Sequence, residues 1–292
     1  MRPARRRDPY LLLFPTLATL GVFFLYPLGR ALYQSFFAWD LLTSPRFVGA
    51  DNYRELAASG ELVAVFLRTL AYSAVVVSLS VVLGIALALA LNRRGLVYAF
   101  VRGAVFSAYV VSWVAVALLW MWILDGENGV VAAGVRALGL RSPAWLSDPT
   151  WAPIALALVT VWKVAGYAMV IFLAGLQDIP RPVLEAAALD GAGPWRRFWH
   201  VTWPLLRPTA AFVGTTSLIL SFQAFDVVRV MTQGGPVRST TVFVYAIYEQ
   251  VFLNLRVGKA SALTVVFFLL LIGLTGLQLW AWRLSARRGA QA

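Results

Sequence analysis

The sequence predicts an all-α, polytopic membrane protein with six transmembrane helices, and three observations carry that prediction. Of the 292 residues, 60% are hydrophobic and only 13% charged, with a mean hydropathy of +0.75, which is too apolar for an ordinary soluble domain. Six apolar runs, residues 11–37, 62–91, 103–124, 151–176, 209–228 and 261–282, match the roughly 20 residues a helix needs to cross a hydrocarbon core of about 30 Å. No run alternates with the period of two that a lipid-facing barrel strand requires, so the backbone polar groups must be satisfied inside helices.

Taken in order, the first run follows a basic lead with Arg5, Arg6 and Arg7 and lacks a small-residue cleavage site after a short core. It reads as a retained signal anchor rather than a cleaved leader or a twin-arginine tag. The loop 38–61 contains Trp39, Pro45 and Gly49, which favour turns and an interfacial position, and a short helix is expected over 52–58. The second run ends in a short basic turn at 92–95, carrying Arg93 and Arg94, which predicts that the second and third spans are antiparallel neighbours. The loop 125–149 is spaced by Gly129, Gly134, Gly139 and Pro143. The fourth span, 151–176, leads into a polar stretch over about 177–208. The fifth span is followed by a loop, 229–260, with Met231-Thr232-Gln233-Gly234-Gly235-Pro236 and an amphipathic segment over 239–252. The first two runs exceed a perpendicular crossing, so tilt or extension is expected. No repeat, low-complexity tract or linker divides the chain, which reads as one membrane domain over 1–292. Gly84, Gly166, Gly214 and Gly273 are expected to let spans pack closely.

The net charge of +12 concerns topology rather than nucleic acid. With the amino terminus inside, the inner segments carry fourteen arginines against only Asp8, Asp178, Glu185 and Asp190, whereas the outer loops carry eight charges of each sign. The positive-inside rule therefore places both termini and the stretch between the fourth and fifth spans in the cytoplasm.

That stretch is informative residue by residue. Pro182 suits a first helical turn, Val183 to Asp190 favours helix, and Gly191 is a natural left-handed stop. Pro194 then opens a second helix in which Trp195, Phe198, Trp199, Thr202 and Trp203 recur at three- and four-residue intervals opposite Arg196, Arg197 and His200, the pattern of an interfacial amphipathic helix. Pro204 and Pro208 are expected to end it before the fifth span.

The order Glu185-Ala186-Ala187, three residues, Gly191, nine residues, then Val201-X-Trp203-Pro204 resembles the coupling loop of permease subunits of binding-protein-dependent ABC importers, with valine and tryptophan where isoleucine and leucine are usual. Asp226 followed by the Met231–Pro236 segment, Tyr245 and Tyr248, the Leu-Leu-Leu-Phe-Pro motif at Pro15, and Tyr26-Pro27 are similar to the carbohydrate branch of that family, in particular to permeases for sugars and glycerol phosphate. The likeness covers essentially the whole chain. It implies a cell inner membrane protein in which Glu185, Ala186, Ala187, Asp190, Gly191 and Pro204 couple to a separate ABC ATPase dimer. It also implies a second homologous permease subunit and an extracytoplasmic solute-binding protein. ATP and magnesium would be bound by the ATPase, with none held by this chain. Asp190 also has the plainer reading of polarity at a helix end.

Catalytic machinery is missing. The phosphate-cradling loop of an ATPase needs Gly-X4-Gly-Lys-Ser/Thr, yet the two lysines are Lys163, after Trp162, and Lys259, followed by Ala260. A single histidine, His200, and no cysteine rule out histidine triads, multi-histidine metal sites and thiol chemistry. The chain is expected to be a transporter subunit and not an enzyme.

Polar groups within spans mark a pathway or a partner. Gln223 and Asp226, with Phe222, are candidates to line a pathway for a sugar's hydroxyls and C–H faces, although Asp226 can also pair with Arg229. Lys163, mid-span, and Tyr167, one turn on, are further candidates. Lys163 requires Asp226, a group of the second permease, or a watery cavity beside it. The expected function is half of the pathway of an ATP-driven importer for a sugar or polyol. The alternative, an ion-coupled secondary transporter, would show an acid relay and paired broken helices in two halves.

Overall fold

The computed structural model describes the backbone of residues 8–289 and the side chains of residues 13–277. The arginine-rich lead lies outside the described residues, as do the side chains of Asp8, Trp282 and the terminal arginines. Five helical stretches are long and apolar enough to cross a membrane: Leu13–Gln34, Glu61–Leu91, Trp151–Gln177, Pro194–Phe222 and Val257–Leu277. A sixth crossing exists if Leu96–Val110 and Trp113–Ile123, bent by 102°, are counted as one. The chain packs as two units, one of residues up to 64 together with those from 246 onward, the other of residues 65–245.

In the first unit α1 (Asp8–Leu20) continues through a π-helical turn, Gly21–Leu25, into α2 (Tyr26–Gln34). The wide turn, closed by the Tyr26 N–H on the Gly21 carbonyl, lies just ahead of Pro27. It displaces the carbonyl that a proline ring would otherwise strike four residues back. The helix stops at Gln34, short of the predicted end. Phe37–Ala38 (β1) pairs antiparallel with Arg46–Phe47 (β2), a hairpin that an all-helical reading did not foresee. Helix α3 (Asp51–Ala58) falls where the short loop helix was predicted. Its buried Asn52 donates to the carbonyls of Ser35 at 2.8 Å and Phe37 at 3.0 Å, satisfying acceptors left open where α2 ends.

The same unit contains an ionic cluster that sequence reasoning missed. Arg256 donates two hydrogen bonds to Glu55, at 2.6 and 2.5 Å. The buried Lys259 reaches Glu61 at 2.7 Å and Glu55 at 3.3 Å, and Gln250 donates to Glu61 at 3.0 Å. The Arg256 hydrogen bonds, helped by Lys259 and opposed by desolvation, hold the Glu55 carboxyl below its ordinary value of 4.5. A carboxylate so stabilised contributes to folding above that value, and the contribution disappears as pH falls through the lowered pKa. The stability of the solubilised chain is therefore expected to fall on acidification below pH 4.5 by about 1 kcal/mol or less from this group, because Glu55 is partly exposed and screened. The acid loss should shrink in Glu55→Gln, as read by unfolding midpoints across pH.

The second unit is built on the rest of α4 (Glu61–Leu91), α5 (Leu96–Val110), α6 (Trp113–Ile123), α7 (Val130–Ala137), α8 (Trp151–Gln177), α9 (Arg181–Leu189), α10 (Pro194–Arg197), α11 (Trp203–Phe222) and α12 (Asp226–Met231). Helix α13 (Phe243–Tyr248) and a following π turn, Glu249–Leu253, occupy the predicted amphipathic segment, and α14 (Val257–Gly289) is the last helix. The most thoroughly buried span is α8. One cluster, including Ile85 and Ala88 of α4, Ala168, Met169 and Phe172 of α8, and Leu206 and Val213 of α11, forms its core.

Glycines set the approach distances. A Cβ at Gly84 would lie 2.6 Å from that of Ala168, and at Gly175 2.5 Å from the Thr209 hydroxyl. A Cβ at Gly166 would overlap the carbonyl of Val105. These positions let backbones touch. Gly214 and Gly273 do not act this way: the nearest atom to the first is at 4.0 Å and nothing lies within 4 Å of the second.

Two spans of this unit depart from the predicted boundaries by more than one residue. The third run is not one straight helix. It begins at Leu96 and breaks at Val111 and Ser112, whose ψ values of 143° and 139° are extended. The β-branched pair Val110-Val111 weakens the helix there, and α8 supplies the donor that replaces the lost helical bonds, as described below. The fifth run also differs, because Pro204 and Pro208 do not end the amphipathic helix. A second π turn, Phe198–Thr202, is closed by Trp203 on the Phe198 carbonyl and precedes Pro204 as Gly21–Leu25 precedes Pro27. The helix therefore runs unbroken from Pro194 to Phe222. It ends six residues before the predicted limit, and the chain resumes helically only at Asp226.

Candidate functional site

The stretch 181–204 is an exposed helical elbow. Helix α9 has Pro182 in its first turn and ends at Asp190 as C-cap. Gly191 follows at φ 75°, with its N–H on the Ala188 carbonyl at 3.1 Å and the Ala192 N–H on the Ala187 carbonyl at 3.0 Å. That left-handed position requires glycine or a local penalty. Glu185, Ala186, Asp190 and Gly191 are exposed, while Ala187 and Pro204 are half-buried. Leu189 and Trp195, 89% and 73% exposed, leave an apolar surface that a monomeric loop would ordinarily cover. Three residues anchor the elbow from below: Leu184, Phe198 and Trp203 pack on the α4–α8–α11 core, so the tryptophan that replaces a branched aliphatic is seated in the core. Trp195, Phe198, Trp199 and Trp203 form a continuous aromatic ladder, with centroids 5.2 to 6.4 Å apart. The elbow is thus exposed on one side and fixed on the other.

At the far end of the same helix, two helix breaks meet around a polar cavity of about 90 Å³. Gln223 and Asp226 line it from the break after α11, Trp113 lines it from the break before α6, and Thr160 lines it from α8. Non-helical backbone at membrane depth is tolerated where it faces a cavity or buried protein, and here both interruptions do. Among the described residues Asp226 forms no ion pair with Arg229 or Lys163.

The structure separates the other pathway candidates from this cavity. Lys163, 1% exposed, donates to the carbonyls of Ala108 and Tyr109, each at 3.1 Å, and to that of Val111. Those are carbonyls freed at the C-terminal end of α5, so the buried ammonium closes a helix end. Gly166, one turn further along α8, permits the approach of α5 that makes this possible. The same ammonium lies 4.7 Å from the Trp113 ring centroid, a cation–π contact. Lys163 therefore holds the cavity wall without lining the cavity. Tyr167 stacks on Tyr109 at 4.9 Å, and Phe222 is fully buried outside the cavity lining.

Thr160 and Trp113 were not singled out from the sequence. Thr160 stands three residues before Lys163 and hence on the same helical face, a signal that was present. The breaks at 111–112 and 223–225 contain no glycine or proline and gave none.

Comparison with known proteins adds three findings. Residues 80–282 match the model of a family described as the binding-protein-dependent transport system inner membrane component. The chain is 35% identical over 277 residues, covering 92% of both chains, to the sn-glycerol-3-phosphate transport system permease protein UgpA of Yersinia pestis. It is 34% identical over 283 residues, 95% of both, to that of Pectobacterium atrosepticum, and 32% identical over 274 residues to that of Agrobacterium fabrum. In fold it is similar to a chain of a bacterial ABC transporter involved in the import of the acidic polysaccharide alginate, with a TM-score of 0.79 and 24% identity over 95% of this chain and 94% of that one. A chain of a bacterial alginate ABC transporter in complex with alginate pentasaccharide-bound periplasmic protein gives a TM-score of 0.79, with 24% identity and 95% and 93% coverage.

Proposed function

The chain belongs to the family of binding-protein-dependent transport system inner membrane components, and from that premise we propose that it forms half of the translocation pathway for a sugar or related polyol. A second permease subunit supplies the other half, a separate ATPase dimer that binds ATP and magnesium grips the elbow at 181–204, and an extracytoplasmic binding protein delivers the solute. Both termini and the elbow then lie in the cytoplasm.

One observation carries this reading. A single helix of 29 residues, Pro194–Phe222, about 43 Å long at 1.5 Å per residue, has the exposed elbow at one end and Gln223 of the polar cavity immediately beyond the other. A displacement imposed on the elbow is carried to the cavity wall along one helix, which stays unbroken through Pro204 and Pro208. Such coupling works only if the ATPase holds the elbow differently in its nucleotide-bound and nucleotide-free states. The cavity, about 90 Å³, has room for a few waters. A sugar fits only when the second permease completes the site.

Gln223 offers an amide and Asp226 a carboxylate to hydroxyls, the groups that fix a polyol without a charge on the solute. Reconstitution of the complete transporter in vesicles tests the proposal. Uptake should require ATP and persist after ion gradients are collapsed. Gln223→Ala should lower uptake at limiting solute by up to about tenfold, the size of one lost hydrogen bond. Uptake that continues without ATP and stops with the ion gradient would identify a secondary transporter instead.

A further inference from the structure

A second cavity, of about 270 Å³, lies on the other side of the Tyr72–Thr160 hydrogen bond, 2.6 Å long, from the polar one: Tyr72 lines this cavity and Thr160 lines the other. Its walls are apolar, with Val75 from α4, Ile154 from α8, Val228 from α12 and Val242. Val75 and Ile154 are 41% and 42% exposed, so the cavity opens sideways in the isolated chain.

Two polar groups in this lining lack partners. Arg68 forms no hydrogen bond or ion pair among the described residues. The Ser239 hydroxyl is buried without any hydrogen-bond partner. A buried hydroxyl without a partner is costly, and a cation inside a span ordinarily has one. Arg68 stands seven residues inside the start of the 31-residue α4, about 10 Å along its axis. A helix of that length, about 46 Å, overreaches a hydrocarbon core of about 30 Å. With α4 centred on the bilayer, Arg68 falls near the edge of the hydrocarbon, from where its long side chain reaches the phosphate level.

We infer that this cavity is a binding site for an anionic phospholipid, its phosphate bonded by Arg68, with one acyl chain along Val75, Ile154 and Val228. Charge selects the ligand, because the lining carries a cation and no carboxylate, and arginine is suited to forked bonds with phosphate. A sugar is a poor occupant: the Tyr72 hydroxyl is already committed to Thr160, which leaves few groups for its hydroxyls. Through that same bond, the bound lipid braces the wall shared with the polar cavity.

The test uses the full chain in nanodiscs of phosphatidylglycerol mixed with phosphatidylcholine, with retained lipid read by native mass spectrometry. The wild-type chain should retain phosphatidylglycerol over phosphatidylcholine. Arg68→Gln should reduce that retention by about tenfold or more, as loss of a charge-assisted hydrogen bond implies, and Arg68→Lys should restore part of it. Equal retention of the two lipids, or undiminished retention by a folded Arg68→Gln chain, would overturn the inference. Because the chain has no cysteine, Ile154→Cys gives this chain a single labelling site, to be probed in the assembled transporter. Its crosslinking to the second permease, rather than to a photoreactive phosphatidylglycerol, would also overturn it.

Discussion

Lys163→Met is expected to destabilise the solubilised chain by about 3 kcal/mol or more and to cut ATP-driven uptake by over tenfold. Methionine keeps the length and apolar stem of the side chain, so packing along α8 changes little and the loss isolates the ammonium. That group bonds the carbonyls of Ala108, Tyr109 and Val111, and each buried acceptor left unsatisfied costs about 1–3 kcal/mol. The break between α5 and α6 then loses its fastening, and Trp113, which faces both the ammonium and the polar cavity, loses its support. Thermal unfolding of the purified chain and uptake in vesicles read the two effects. Unchanged values in both would show that the helix end does not depend on Lys163.

Gly191→Pro is expected to abolish uptake while leaving membrane insertion intact. Proline holds φ near −65°, whereas Gly191 stands at 75°, and the substitution removes the N–H that bonds the Ala188 carbonyl. The turn between α9 and α10 cannot keep its path. Gly191 makes no contact that a Cβ would disturb, so the core under the elbow survives and the damage is confined to the exposed face. Glu185→Lys should act on the same face by reversing an exposed charge. The readouts are ATP hydrolysis and uptake by the assembled transporter, with hydrolysis lost or uncoupled from uptake. Normal coupled transport by Gly191→Pro would remove the elbow from the proposed mechanism.

The two substitutions probe features that differed in legibility. The elbow's turn chemistry was legible because it is local: a glycine after a run of helix formers and a proline opening the next helix are decided within a few residues. The second and fourth spans were legible for a related reason. Glu61–Leu91 and Trp151–Gln177 lie within one residue of the predicted runs, since sharp changes in hydropathy bound them on both sides. Pro204 and Pro208 misled, because a proline's clash depends on where the carbonyl four residues earlier points. The π turn at Phe198–Thr202 moves that carbonyl. The ion pairs of Arg256 and Lys259 were not legible, since their carboxylate partners lie about 200 positions earlier.

By itself, then, the sequence determined that this chain is embedded in a bilayer as a bundle of helices, that a polar elbow separates its fourth and fifth apolar runs, and that it carries no phosphate-binding loop of its own. Hydropathy, charge bias and short motifs act over distances of one helix or less, so they survive being read along a line. The tertiary structure decided where two of those helices break and what the breaks enclose. Lys163 closes the end of α5 from 52 to 55 residues away, and Thr160 meets Gln223, Asp226 and Trp113 at one cavity only because the helices pack as they do. A freed carbonyl or an unpaired side chain is satisfied by whichever group packing brings within about 3 Å, and that proximity is not written in any one segment.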